Sequence, residues 1–502
     1  MIYLDNNAST PLAPEAWRAM EDAAGLYGNP SSVHAAGQSA RRRLEEARDE
    51  VAALVGARPE EIVWTSGGTE ANALALFGAL GAIGRSGRIV TSAVEHPSVR
   101  ACAARLAETG AGRFEWVEVP PERSGALDPG RVLAAVSPGT VLVSIMAANN
   151  EYGGLFPIAE IAREARRRGS LVHTDAVQAA GRVPIDADDW GVDLLSLSAH
   201  KLHGPKGAGA LYVRRGVPLA AHTPGGGQER RRRAGTENTL AAVGFGAAAR
   251  LAAGRLETDA ASIRALRDRF EAGVLARIPG ARLIGAGAGV PRLPNTSAVL
   301  FDGVSGETLL LRLDLEGIAV SVGSACSSGT LAPSPAILAL GLSPREARGV
   351  VRFSLSRAKT DEEIARVLDV LPRVVEEISG ASPVAPVAPV APTAPVAPAG
   401  RASSSSSAIS AARSTTTTRP ASRASRPRNC AARSAARSSR SSTRTPTRRS
   451  RPCVRRSPPG RRARGGPPTC SRRRPSAPSR RASDAGRRAL SSCPWRRSSP
   501  WR

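Results

Sequence analysis

The stretch LLSLSAHKLHGPKG, Leu194–Gly207, sets the reading of the whole chain. Its first five residues form an apolar run of strand length, and Gly204, Pro205 and Gly207 mark the loop that follows. At the junction stands Lys201. It is one of three lysines, with Lys206 and Lys359, and arginine supplies the rest of the basic side chains. Strand ends in open α/β sheets are where ligands bind. An amine that can lose its proton is what a Schiff base requires, and arginine cannot provide one. A plain surface lysine is the alternative, and it loses ground only as the neighbours are added.

Two further stretches repeat the pattern of a strand that ends in polar chemistry. In TSGGTEANAL, Thr65–Leu74, two glycines and Thr69 precede a helical run, and the free amides of such a helix start suit a phosphate. Thr69 as an ordinary N-cap is the bland reading. The stretch lacks the lysine of a Walker A loop and the spacing of a dinucleotide fingerprint, so nucleotide binding does not follow. In LVHTDAVQAAG, Leu171–Gly181, an apolar strand delivers Asp175 and then Gln178. A carboxylate there can pair with a pyridinium nitrogen, or can cap a helix.

Further out, short apolar runs alternate with amphipathic ones, the pattern of an α/β protein with a mainly parallel sheet. Strands are expected at 62–65, 88–92, 141–147, 171–174, 194–198 and 209–213, with helical stretches at 70–80, 157–168 and 176–179. A long amphipathic helix is expected from about Thr258, leading to strands at 297–301, 317–321 and 350–354. Residues 15–257 thus read as a large domain, 258–379 as a smaller C-terminal α/β domain, and 1–14 as a segment joining the smaller one.

Composition then breaks. The Pro/Ala repeats of 380–400 read as a stiff spacer, and 401–502 hold 28 arginines, one acid (Asp484) and almost no large apolar residues. Such a segment cannot offset the entropy of ordering, so a disordered tail is expected. The tail accounts for the whole net charge of +27, leaving residues 1–400 with 42 basic and 42 acidic groups. The body is therefore no polyanion binder by charge; nucleic acid, if bound at all, falls to the tail. Two origins fit the tail: a functional basic arm, or a shifted reading frame in GC-rich coding sequence.

Of six cysteines, Cys102 and Cys326 lie in the body and no CxxC pair occurs, which suits a reducing compartment. The opening MIYLDNNASTPLAP carries no basic segment followed by an apolar one, and no run of 18 apolar residues occurs, so a cytoplasmic protein without membrane contact is expected. His200 and His203 stand three apart but lack an evident third ligand, so no metal is expected. His34, His173 and His222 receive no role. Cys102 reads as core, and the basic run Arg230–Arg233 as the edge of a subunit boundary or site mouth.

The motifs SGGTE, EH (Glu95, His96), NNE (Asn149–Glu151), DAVQ, SAHK, RAGT and GSACSSG occur in that order. Together with YLDNNAST and YGNPSSVHAAG they resemble the NifS/IscS-type cysteine desulfurases, class V aminotransferase-like enzymes of fold type I, across residues 2 to 379. The resemblance implies an α/β fold type I transferase dependent on pyridoxal 5'-phosphate, with a mainly parallel seven-stranded sheet in the large domain. Lys201 would hold the cofactor and later move the substrate Cα proton, Asp175 would pair with the pyridine nitrogen, and Asn150 and Gln178 would sit near the phenolic oxygen. Gly68, Thr69, Ser198 and His200 would surround the phosphate, with Thr236 reaching in from the second subunit of a homodimer. His96 would stack on the ring as acid or base, and Arg352 would grip the substrate carboxylate with its planar fork. Cys326 would take the sulfur of L-cysteine as a persulfide, leaving alanine, and its setting among small residues suits a mobile loop.

What the resemblance implies for delivery is an acceptor such as an iron-sulfur scaffold, for cluster assembly, tRNA thiolation or both. The chain departs from the pattern at Val322, in the basic QERRRRAGT, and after the small domain, where Pro-Ala repeats replace a segment that contributes to docking acceptors. The long stretch from GSACSSG to Arg352 resembles the group that serves several acceptors. A selenocysteine lyase or another class V aminotransferase-like enzyme is the nearest alternative. An RNA-binding or scaffold protein with an inactive enzyme body is the alternative from another class.

Overall fold

The computed structural model describes residues 1–110, 112–323 and 332–380. The expected spacer beyond Gly380, the tail and Cys326 lie outside the described residues. Seven strands build the large sheet: β1 (Ile62–Thr65), β2 (Gly87–Ser92), β3 (Phe114–Val119), β4 (Thr140–Ser144), β5 (Leu171–Asp175), β6 (Leu194–Ser198) and β7 (Gly209–Val213). Their order across the sheet is β1-β7-β6-β5-β4-β2-β3. All neighbours run parallel except β7, which is antiparallel to both β1 and β6. The mainly parallel sheet expected from the sequence pattern, with the seven strands that the family resemblance implies, is therefore present.

Helices cover both faces, which is why the central strands are continuous apolar runs rather than alternating ones. Strands β1, β4, β6 and β7 are buried at every residue. One core cluster lies under Leu44, Val51, Trp64 and Phe245, and another on the opposite face under Leu74, Leu80 and Leu106. The missed strand β3 is the sheet's edge. Its sequence FEWVEV places Glu115 and Glu118 among apolar residues, and only Phe114 and Val119 are fully buried.

A single helix, Thr239–Arg277, begins at the Asn238 cap and not near Thr258 as expected. Its first half, rich in Ala and Gly, is buried around most of its circumference and so shows no amphipathic stripe to mark it. It packs on the helices Ala35–Leu54 and Pro14–Ala23. A Cβ at Gly246 would stand 2.7 Å from Ala47 Cα, so glycine sets that close approach. The helix expected at 176–179 is instead a turn closed by the Ala179 and Ala180 amides on the Ala176 carbonyl.

The second sheet is antiparallel: β8 (Ala281–Leu283), β9 (Thr296–Phe301), β10 (Ser321–Val322) and β11 (Val350–Ser354), in the order β10-β11-β9-β8. The expected strand 317–321 divides, because Ile318–Ala319 pairs instead with Ile2–Tyr3 in a parallel two-stranded ladder. Phe270, Phe301 and Phe353 form the centre of this sheet's core. The closing helix Asp361–Gly380 covers it. Among the described residues no helix is long and apolar enough to cross a membrane.

Two buried acids hold loops onto this frame. Glu229 accepts from Arg48 through both carboxylate oxygens, at 2.7 and 2.8 Å, and from the Trp64 amide at 2.9 Å. This pair anchors three consecutive left-handed residues, Glu229, Arg230 and Arg231, with φ of 46, 57 and 66°. Each costs roughly 1 kcal/mol without glycine. Glu95, just beyond β2, accepts at Oε1 from Ser92 Oγ at 2.5 Å and from the Met146 amide at 2.9 Å. Burial, reinforced by the charge of Asp175, pushes its carboxyl up to about 8, so it is mostly protonated at neutral pH.

Glu229→Gln leaves the buried Arg48 short of its main counter-charge, and we expect a loss of about 3 kcal/mol in chemical unfolding; an unchanged midpoint contradicts the anchor. For Glu95 the folded carboxyl titrates above the unfolded one. Its stabilising effect is therefore complete below the ordinary value of 4.5 and is lost as pH rises to about 8. Glu95→Gln, which keeps the accepting oxygen, should remove that decline, worth on the order of a few kcal/mol, when melting is compared across the window.

Candidate active site

The carboxyl ends of the parallel strands place the chemistry. After β1 the chain turns through Gly67 into a helical run, Gly68–Ile83, which passes through one π-helical turn at Leu74–Gly78. Gly67 is the cap, so Thr69 is not the N-cap that one reading of the sequence allowed. A Cβ at Gly209 of β7 would stand 2.5 Å from Gly67 Cα, which lets the two backbones meet there. Beside Gly67 opens a cavity of about 410 Å3. Ser66, Gly68 and Thr69 line one side, and Ser198 and His200, from the end of β6, the other.

The cavity's chemistry fits a phosphate. Ser198 Oγ is buried and makes no hydrogen bond within the described chain. The first amides of a helical run open towards the same space, where backbone donors and the helix dipole favour an anion. His200 Nδ1 lies 3.2 Å from Ser9 Oγ, and burial together with Lys201, Lys206 and Arg182 lowers this imidazole to about 4. It is thus neutral at pH 7. Lys206 also lines the cavity and supplies a positive charge that the sequence reading did not assign.

Lys201 ends the short turn Ala199–Lys201 after β6. Its Nζ donates to the carbonyls of Asn7 and Ala8 at 2.6 and 2.7 Å. Asp175 closes β5, is 5% exposed, and accepts from Asn72 Nδ2 at 2.7 Å and from the Val177 amide at 2.9 Å. A buried carboxylate at a strand end is the counter-charge a pyridinium needs. Gln178 donates from Nε2 to the Asn7 carbonyl at 2.9 Å, and Arg182 donates to Gln178 Oε1. His96 caps the helix Pro97–Thr109, and burial lowers its pKa, opposed by Asp175 and aided by Lys201. The structure thus gathers Lys201, Asp175, His96, Gln178, Ser198, His200, Gly68 and Thr69 into one region.

Arg352, in β11, reaches the same region. Its Nη2 pairs with Asp5 Oδ1 at 2.7 Å and its Nη1 donates to the Asn150 carbonyl at 3.0 Å, while Nε is buried without a partner among the described residues. That unpaired donor is suited to a carboxylate ligand. Asn150 therefore enters through its main chain. Thr236 stands apart: it is exposed and does not line the cavity. Cys326 lies outside the described residues. The flanking Ser334 donates to Glu151 Oε2 at 2.6 Å, and burial raises the Glu151 carboxyl to about 7. Cys102 sits part-buried in a helix, where burial pushes its thiol up to about 11, so it is no ready nucleophile.

Sequence reasoning missed Asp5, Asn7, Asn72, Arg182 and Lys206 as site residues. The signal available for Asp5 and Asn7 was the density of polar residues in LDNNAST, directly after an apolar start. Asn72 and Arg182 carry no such signal, since each lies within an ordinary helix or turn.

The family model for class-V aminotransferases matches residues 2–367. A cysteine desulfurase of Sinorhizobium fredii is 47% identical over 385 residues, covering 76% of this chain and 98% of the relative. Another from Cereibacter sphaeroides is 49% identical over 391 residues, covering 76% and 97%. The cysteine desulfurase NifS of Azotobacter vinelandii is 44% identical over 384 residues, covering 76% and 94%. Among solved structures, a NifS-like protein superimposes with a TM-score of 0.69 at 34% identity, over 75% of this chain and 99% of that one. With a lysine, a buried aspartate and a polar cup assembled at the strand ends, these likenesses place the chain in the class-V aminotransferase family, in its cysteine desulfurase branch.

Proposed function

We propose that this chain is a pyridoxal 5'-phosphate enzyme that converts L-cysteine to L-alanine and leaves the sulfur as a persulfide on Cys326. The observation that carries the reading is Lys201 Nζ, held on the Asn7 and Ala8 carbonyls, with Ala8 lining the cup that contains the unpartnered Ser198 hydroxyl and with both Lys201 and the buried Asp175 acting on His96. Bound here, the cofactor supplies an electron sink for the pair left when the substrate Cα loses its proton.

The chain's residues divide the remaining work. Asn72 and the Val177 amide hold Asp175 in place, so that its charge keeps a ring nitrogen protonated. Lys201 would hold the cofactor and, as a free amine, would be the base for the substrate Cα proton. Arg352 binds the substrate carboxylate, with Asp5 fixing its fork. His96, held towards its neutral form, would donate a proton to the bound substrate. The Cys326 thiolate attacks the substrate sulfur; the new S–S bond forms as the substrate Cβ–S bond breaks, and the released electron pair stays with carbon, which takes a proton and leaves in alanine.

The wider reading follows the same likeness. We assign cofactor binding to residues 15–257 and the cysteine segment to 258–379, with residues 1–14 joining the latter. Thr236 completes the phosphate site of a second subunit in a homodimer, an arrangement that its exposed position suits. The persulfide passes in the cytoplasm to an acceptor protein such as an iron-sulfur scaffold, with tRNA thiolation as another outlet.

Protein mixed with pyridoxal phosphate and cysteine should yield alanine and a Cys326 peptide heavier by one sulfur atom, read by mass spectrometry. Cys326→Ala should lose sulfur release by at least a hundredfold, an order of magnitude typical of removing a nucleophile; sustained sulfide production overturns the persulfide route. Lys201→Ala should bind the cofactor without the near-visible absorption of the lysine-bound form, and retention of that band moves the attachment elsewhere.

A further inference from the structure

Asn72 and Ser98 connect the carboxylate of Asp175 to the imidazole of His96 through three short contacts. Asn72 Nδ2 lies 2.7 Å from Asp175 Oδ2 and 2.9 Å from Ser98 Oγ, and Ser98 Oγ lies 2.7 Å from His96 Nδ1. The direction of each bond follows from what the groups can donate. A carboxylate only accepts, so it fixes the Asn72 amide with nitrogen towards Asp175; the flipped amide would set oxygen against oxygen. The amide's second hydrogen then goes to Ser98 Oγ, which accepts it. The Ser98 hydroxyl proton is left to point at His96 Nδ1.

A second donor arrives at the same nitrogen. The Ser98 backbone N–H, which can only donate, meets His96 Nδ1 at 3.2 Å as part of the cap on the helix Pro97–Thr109. Two donors converge on Nδ1, so that nitrogen offers its lone pair. We infer that Asn72 and Ser98 are positioning residues that hold His96 in the Nε2–H tautomer, so that the nitrogen outside the relay carries the proton. His96 at rest is then a donor towards the site and not a base. Forming the imidazolium would require the Ser98 hydroxyl to turn from Nδ1 and would face the positive end of a helix. Of the charged groups around the ring, Asp175 favours the imidazolium while Lys201 and burial oppose it.

This inference rests on the proposed role of His96 but not on turnover, since the relay consists of the chain's own residues. The test is nitrogen NMR of the full chain with 15N-labelled histidine, free and loaded with pyridoxal phosphate, His96 being assigned from the spectrum of His96→Gln. The expected result is a one-bond N–H coupling at Nε2 and none at Nδ1 at neutral pH. A proton on Nδ1, or an imidazolium, overturns the inference. In Ser98→Ala, which keeps the backbone cap, the bias should relax by roughly fivefold, the loss of one ordinary hydrogen bond. Asn72→Ala, which frees the hydroxyl to accept, should likewise bring the Nδ1–H form into view. Tautomer populations unchanged in both variants overturn the relay. Failure of the cofactor's near-visible band to appear would instead count against the proposed function, while leaving the tautomer to be read in the free protein.

Discussion

Asn7 is 1% exposed and spends every polar group it has on joining the two sheets. Its amide donates to Ser354 Oγ, its Nδ2 to Thr296 Oγ1 and the Asn150 carbonyl, and its Oδ1 accepts from Asn295. Its own carbonyl accepts from both Lys201 Nζ and Gln178 Nε2. A buried polar group left unpaired costs about 1–3 kcal/mol, so this many shared partners bind the N-terminal segment, the end of β6 and the strands β9 and β11 into one arrangement. The neighbours extend it. Asp5 pairs with Arg352, Ala8 accepts from Lys201, and Ser9 meets His200. Lys201, which follows β6, and Arg352, in β11, are thus spaced by a single N-terminal segment that turns at residues 6–8.

The same region carries more buried charge than a core usually tolerates, and it is balanced by neutralising some groups and pairing others. Glu95 and Glu151 are shifted towards their protonated forms, and His173 and His200 are held neutral, each lowered to about 4. Arg182 is unusual in that its guanidinium meets only oxygens of Gln178, Asn6 and Lys201, without a carboxylate, and burial lowers it to about 10. By occupying Gln178 Oε1 it turns the amide nitrogen of Gln178 towards Asn7. A side chain expected near the cofactor's phenolic oxygen is therefore oriented from behind.

Strands β1, β6 and β7 were legible because a sheet covered on both faces demands unbroken apolar runs, and they begin and end where those runs do. What misled the reading was position in the fold. Strand β3 escaped because its edge of the sheet is half exposed and admits Glu115 and Glu118. The long helix seemed to start near Thr258 because its first half is surrounded by protein and shows no polar face. Residues 317–321 divide between two ladders, a choice made by the arrival of Ile2–Tyr3 from the far end of the chain.

Lys201, Asp175 and Gln178 stood out in the sequence because each follows an apolar run and strand ends present side chains to one common edge, whereas His96 and Ser198 came only with the resemblance to a known family. Local order also sufficed to separate a neutral body from an arginine-rich tail. Which groups hold those residues in working form was decided only by tertiary structure. Asn72 lies 103 positions from Asp175, and Asn7 lies 194 from Lys201. Hydrogen bonds act over about 3 Å, so partners that far apart in the chain meet only once the sheet has brought them to the same edge.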